Sequence, residues 1–135
     1  MNIEFRAWDN SFGGIFSYWD HQFDNNEGYF WEMVKYQPFE KPEQFTNRVD
    51  KNGKKIYVGD LLKVFKPNTW LKGNDIFEVR FYTTEAKFAY WCYRINDWAS
   101  GNGHTYNVGN NKSGAWCEII GNIHQNPELI KQKTT

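Results

Sequence analysis

The chain reads as a mainly β protein, or a β-rich α+β one, with an antiparallel sheet and a short C-terminal helix. Three observations lead there. Aromatic residues are 19% of the 135 residues, and such side chains favour pleated, half-buried strands. Fifteen Asn and eleven Gly punctuate the chain with turn signals. Several short runs alternate apolar and polar residues with a period of two, the pattern of a sheet with one buried face.

The elements follow in order. Ile3, Phe5 and Ala7 alternate with Glu4, Arg6 and Trp8, and Asp9-Asn10 and Gly13-Gly14 separate this run from Ile15-Phe16-Ser17-Tyr18, which predicts an N-terminal hairpin. Trp19 to Asn26 is polar and turn-like. Tyr29 to Tyr36 fits a strand or a short helix equally, and Pro38 and Pro42 end it. The chain then passes through Phe45-Thr46 into Asp50-Lys51-Asn52-Gly53. Because Asn-Gly permits positive φ at both central residues of a tight turn, this segment predicts a hairpin entering a strand at Ile56-Tyr57-Val58.

Leu61 to Phe65, and Phe77 to Tyr82 with Phe77, Val79 and Phe81 on one side, read as half-buried strands. A hairpin loop over Thr83 to Ala86 leads into a strand from Lys87 to Ile95 with aromatics on both faces, so the chain meanders through an antiparallel sheet. Asn96 to Gly114 is nineteen residues rich in Asn, Gly and Ser, longer than most connections in compact domains, and reads as a functional loop or an elaboration. Ala115 to Ile123 is the last strand. Asn126-Pro127-Glu128 supplies an N-cap, a proline at the first helical position and an acid in the first turn, starting one helical turn through Leu129-Ile130. No internal repeat is visible.

The length corresponds to one domain, residues 1–135, able to bury a core without disulfides or metal. Net charge is zero, which argues against nucleic-acid binding by the whole chain. The charge is segregated, however: residues 1–47 carry three basic and eight acidic groups, and residues 48–72 seven basic and two acidic. Mutual neutralisation in the fold is the preferred reading, with Lys51, Lys54, Lys55 and Lys63 kept as a candidate basic patch. Two cysteines and no basic-then-apolar leader give a reducing cytoplasm as the expected compartment. The apolar runs are far short of the ~20 residues of a spanning helix.

No catalytic set emerges. Cys92, Cys117, His104 and His124 include no Cys-x-x-Cys or His-x-x-x-His pair, so the cysteines read as buried strand residues and no metal is expected. Gly101-Asn102-Gly103 lacks the strand and helix context and the Lys-Ser/Thr pair of a phosphate loop, and no cofactor is expected. Asp20-His21, Asp24, Glu85 and Glu118 offer acid pairings that chance alone produces among sixteen acids. Among the seven tryptophans, Trp8, Trp31, Trp91 and Trp116 lie within predicted strands and are expected to be packed. Trp70 and Trp98 lie in predicted loops and, with His104 and Tyr106, form the candidate recognition surface.

Three blocks carry a family resemblance: Phe5-Arg6-Ala7-Trp8-Asp9, Asp50 to Leu61 (Asp-Lys-Asn-Gly-Lys-Lys-Ile-Tyr-Val-Gly-Asp-Leu), and Ile119 to Leu129 (Ile-Ile-Gly-Asn-Ile-His-Gln-Asn-Pro-Glu-Leu). In this order and together, the chain resembles the YopX family of bacteriophage and prophage proteins. It departs from the family pattern in one place, where Thr46-Asn47-Arg48 stands in the position of Thr-Gly-Leu; Asn47 tolerates the left-handed φ that glycine would supply. The resemblance implies a single YopX-like domain with a barrel-like β core and insertions, a phage or prophage origin in the host cytoplasm, and no established activity, so it carries over no catalytic, metal or ligand residues. The shared residues read as framework: Gly53, Gly59 and Gly121 for backbone geometry, Tyr57, Leu61 and Ile123 for the core, Asn126 for the cap. The expected role is a non-enzymatic interaction module that binds a host or phage protein. The alternatives are a small β-barrel that binds nucleic acid through the basic segment 48–72, and an enzyme, which requires a pocket of convergent titratable groups. Exposed aromatics and free sheet edges also make a homo-oligomer an expectation.

Overall fold

The structure is a computed structural model that describes residues 3–10, 14–20, 40–64, 75–101, 104–105 and 117–131. It is mostly β, with two antiparallel sheets, one curled into a half-barrel, and a short C-terminal helix. The first sheet has the order β2-β1-β3-β4, from β1 (Glu4–Asp9), β2 (Ile15–Asp20), β3 (Glu43–Val49) and β4 (Lys55–Tyr57). The second, in the order β11-β5-β6-β7-β8, is built from β5 (Asp60–Val64), β6 (Ile76–Tyr82), β7 (Lys87–Cys92), β8 (Asp97–Trp98) and β11 (Cys117–Asn122). A two-stranded ribbon, β9 (Ser100–Gly101) with β10 (His104–Thr105), and α1 (Glu128–Lys131) complete the described elements.

The predicted hairpins form. β1 and β2 pair from Glu4 opposite Asp20 to Asp9 opposite Ile15, and β6 and β7 from Phe77 opposite Cys92 to Tyr82 opposite Lys87. The inner face of the second sheet supplies the core, where Leu62, Phe77, Val79, Tyr90, Cys92 and Cys117 bury against Ile56 and Ala99. Three expectations change. In β1 the apolar alternation singles out Ile3, Phe5 and Ala7, yet Ile3 is exposed, while Glu4, Arg6 and Trp8 are buried. Both faces of this strand are covered, and one of them is charged. The strand expected to reach Ile95 ends at Cys92, because the chain turns through Asn96, at φ +51°, with the Asn96 amide bonding the Tyr93 carbonyl. The long loop starting at Asn96 therefore begins as the edge strand β8, followed by the β9–β10 ribbon. The predicted strand or helix over 29–36 lies outside the described residues.

The Asp50–Gly53 turn is built differently from a turn with two positive-φ residues. Only Gly53 is left-handed, at φ +79°, and the Asp50 side chain does the rest. Its Oδ1 accepts the Asn52 and Lys54 amides, both at 2.9 Å, and its Oδ2 accepts the Ile119 amide of β11 at 3.0 Å. The Lys51 amide also reaches the Cys117 carbonyl. The turn is thus bonded to the second sheet. Just upstream, Asn47 takes φ +64°, the left-handed conformation expected where the family pattern has glycine.

The corner Tyr57-Val58-Gly59-Asp60 carries the chain from one sheet to the other. The Val58 amide bonds Gln44 of β3, the Gly59 amide bonds Val79 of β6, and the Gly59 carbonyl accepts the Ile123 amide after β11. Gly59 sits at φ +94°, and a Cβ there would lie 2.2 Å from Glu43 Oε2. After β11, Asn122 Oδ1 accepts the amides of His124 and Gln125, shaping a turn that projects His124 toward the first sheet. Asn126, expected to cap the helix, instead directs Oδ1 back to the Asn122 amide, over Gly121. The helix start is closed by backbone bonding from Leu129 to the Asn126 carbonyl.

Candidate functional site

The three sequence blocks converge on one buried cluster. Arg6 of β1 donates through Nε to Glu43 Oε1 and through Nη2 to Asp60 Oδ1, both at 2.9 Å. The other Asp60 oxygen accepts the Tyr57 amide at 2.8 Å, and the other Glu43 oxygen lies 2.9 Å from His124 Nε2. Arg6, Glu43 and Asp60 have less than a tenth of their side-chain surface exposed. The Arg6 guanidinium lies 4.0 Å from the Phe16 ring centroid and 4.8 Å from that of Tyr57, while Trp8 stacks on His124 at 5.3 Å with planes 8° apart.

A buried arginine between two carboxylates is what a charged group needs to leave water without neutralising. Every oxygen of Glu43 and Asp60 has a donor or ring nitrogen within hydrogen-bond range, so the cluster is bonded inward and joins the N-terminal sheet to the corner and the C-terminal turn. Burial lifts the Asp60 carboxyl to about 6, against the lowering influence of Arg6 and the Tyr57 amide. A carboxyl that holds its proton more tightly when folded makes folding less favourable as pH rises from near 4 through 6. Through Asp60 the protein is therefore expected to be about 1 kcal/mol less stable at pH 7 than at pH 5. Urea denaturation at the two pH values checks this, and Asp60→Asn should remove that part of the dependence.

The second grouping lies on the outer face of the second sheet. Arg80 of β6 packs over Trp91 of β7, 4.4 Å from its ring centroid, and bonds Glu78 at 3.0 Å. The Tyr93 hydroxyl also donates to Glu78, and burial followed by this carboxylate pushes the phenol up to about 12, so it remains a donor at ordinary pH. Trp98 of β8 meets Trp91 edge to face at 5.4 Å and Tyr82 at 4.8 Å. Arg80, Tyr82, Trp91, Tyr93 and Trp98 are all half-buried, forming a continuous aromatic and cationic ladder that ends at the edge strand.

Of the predicted recognition residues, Trp98 falls in this ladder, in a strand rather than a loop. Trp91, expected to be packed in the core, stands on the outer face beside it. His104 is in β10, but its side chain, like all of Trp70 and Tyr106, lies outside the described residues. The predicted basic patch is partly neutralised: Lys55 pairs with Glu4 at 2.7 Å and Lys51 with Glu118 at 3.7 Å, while Lys63 stands opposite Glu118 across β5 and β11. Lys54 is exposed at the turn. Cys92 and Cys117 are buried thiols in the core, and burial pushes Cys117 up to about 11. Sequence reading passed over Arg6, Glu43 and Asp60 and weighed His124 only as a metal ligand. The available signal was that charged residues recur within all three blocks, Arg6 among them on a strand whose apolar alternation drew attention to the opposite face.

Comparison with known proteins places these features. The model of the YopX protein family matches residues 4–131. Among solved structures, the crystal structure of protein EF1440 from Enterococcus faecalis is similar, with a TM-score of 0.50 at 21% identity, covering 95% of this chain and 97% of that one; this likeness concerns the fold. No curated protein matches.

Proposed function

The chain belongs to the YopX protein family, and on that premise we propose that it is a non-enzymatic interaction module that binds a protein of its bacterial host or of a phage, in the cytoplasm. The ladder of Tyr82, Trp98, Trp91, Arg80 and Tyr93 is the observation that carries this reading. Trp, Tyr and Arg dominate the energetics of protein interfaces because they bury large areas at little rotamer cost and keep a polar end for orientation. Here they are held by a rigid sheet and by one another. The Arg6 cluster offers no comparable surface, since its polar groups are bonded to one another. Nucleic-acid binding through the basic segment is less favoured because Lys51 and Lys55 are paired with acids.

Immobilised protein and its Trp98→Ala variant, exposed to the same host lysate, test the proposal. A protein retained by the first and lost, or bound at least about tenfold more weakly, by the second is the expected result. No specific partner, or one retained equally by both, contradicts it. Steeply salt-dependent binding of DNA or RNA that is lost on Lys54→Glu and Lys63→Glu would favour the nucleic-acid reading instead.

A further inference from the structure

Glu4, at the start of β1, is an incompletely satisfied acid of the first sheet. Its side chain is 6% exposed, and its Oε1 accepts from Lys55 Nζ at 2.7 Å. Its Oε2 is buried with no hydrogen-bond partner among the described residues, an arrangement that is costly for a charged group. Aromatic rings stand around this pair. Lys55 Nζ lies 5.4 Å from the Phe45 ring centroid, Tyr57 packs on Phe45 at 5.6 Å, and Tyr18 meets Tyr57 at 5.8 Å. Burial and the nearby Glu4 carboxylate keep the Tyr57 hydroxyl neutral. Arg6 is committed to Glu43 and Asp60. Across these neighbouring groups the acids Glu4, Glu43 and Asp60 outnumber the cations Arg6 and Lys55.

We propose that Glu4, with Phe45 and Tyr57 beside it, is a receptor for the lysine ammonium of a partner polypeptide, and that Lys55 holds this place intramolecularly. Two features select lysine. The carboxylate is nearly buried, so the cation must arrive on a slender stem, as that of Lys55 does. A carboxylate takes its partner through N–H donors, of which a primary ammonium has three and a quaternary ammonium none. Aromatic faces add cation–π attraction. The Lys55 side chain is 48% exposed, so its ammonium can return to water as an incoming one takes its place on Glu4. The site is on the first sheet and the recognition ladder is on the second, so either can fail without the other.

The test is a titration of the full chain with Nα-acetyl-lysine N-methylamide, followed by amide NMR shifts of Glu4, Phe45 and Tyr57. The wild type should show weak, saturable shifts. Lys55→Ala should bind about tenfold more tightly because the internal competitor is gone, and adding Glu4→Gln in that background should abolish binding. The arginine analogue and tetramethylammonium should bind at least about tenfold more weakly than the lysine analogue. The proposal is overturned if Lys55→Ala binds no more tightly than the wild type, if Glu4→Gln leaves binding intact, or if the other cations bind equally. The spectra themselves report folding. Should Lys55→Ala unfold, Lys55→Met retains the stem and carries the same expectation, and absence of saturable shifts in the wild type alone overturns the idea.

Discussion

Arg6→Met is expected to destabilise the protein by about 3–5 kcal/mol at pH 7, a large part of the stability of an ordinary domain. The substitution retains much of the aliphatic stem, but it removes the guanidinium that lies over Phe16 and Tyr57 and leaves Glu43 and Asp60 buried without their cation. Removing one partner of a buried network is costly because the survivors remain desolvated. Replacing the whole network costs less. Arg6→Met combined with Glu43→Gln and Asp60→Asn should therefore recover part of the loss. Asp60 already resists ionisation, with its carboxyl lifted to about 6, so the single variant should suffer less at pH 5, where that group takes up a proton. Urea denaturation midpoints of the single and triple variants at both pH values measure this. A loss below about 1 kcal/mol for Arg6→Met, within the range of an exposed pair, would show that the cluster is not the junction described here.

The second large effect is a contrast between two glycines of the same sequence block. Gly53→Ala is expected to cost about 1–2 kcal/mol, the penalty of a left-handed non-glycine residue, because nothing lies within 4 Å of its added methyl group. Gly59→Ala bears the same backbone penalty at φ +94° and also drives a methyl group into Glu43 Oε2, 2.2 Å away. The Glu43 side chain cannot yield without releasing Arg6 and His124. An additional overpacking cost of about 1–3 kcal/mol follows. Thermal unfolding of the two variants should therefore differ by several degrees, with Gly59→Ala the weaker. Equal losses would mean that Glu43 is free to move.

The strands were legible in the sequence because local alternation and turn residues encode them: Phe77 to Tyr82 and the Asn-Gly hairpin appear where expected, and β7 starts at Lys87 as expected but ends three residues early. Asn47 likewise follows from backbone sterics alone. What could not be read was long-range. Arg6, Asp60 and His124 belong to three separate blocks, and only the Tyr57–Asp60 corner and the Asn122 turn bring them together. Alternation in β1 indicated one face, yet a strand covered on both sides buries charges that period-two reasoning assigns to solvent. Asn126 satisfied every local rule for a cap but is drawn instead to the Asn122 amide. Trp98, expected in a loop, stands instead in β8 against Trp91 and Tyr82. Its partners Trp91 and Tyr82 are reached through strand pairing and sheet curvature, not through sequence proximity.

These observations divide the molecule by role. The residues that identify the family build the junction between the sheets, and recognition is proposed for the outer face of β6, β7 and β8. Amide hydrogen exchange of the chain alone and bound to its captured partner tests that division most directly. The account predicts that residues 78–98 gain protection in the complex while residues 50–64 exchange as they do in the free protein. Protection confined to 50–64, with the β6–β8 face unchanged, would contradict it.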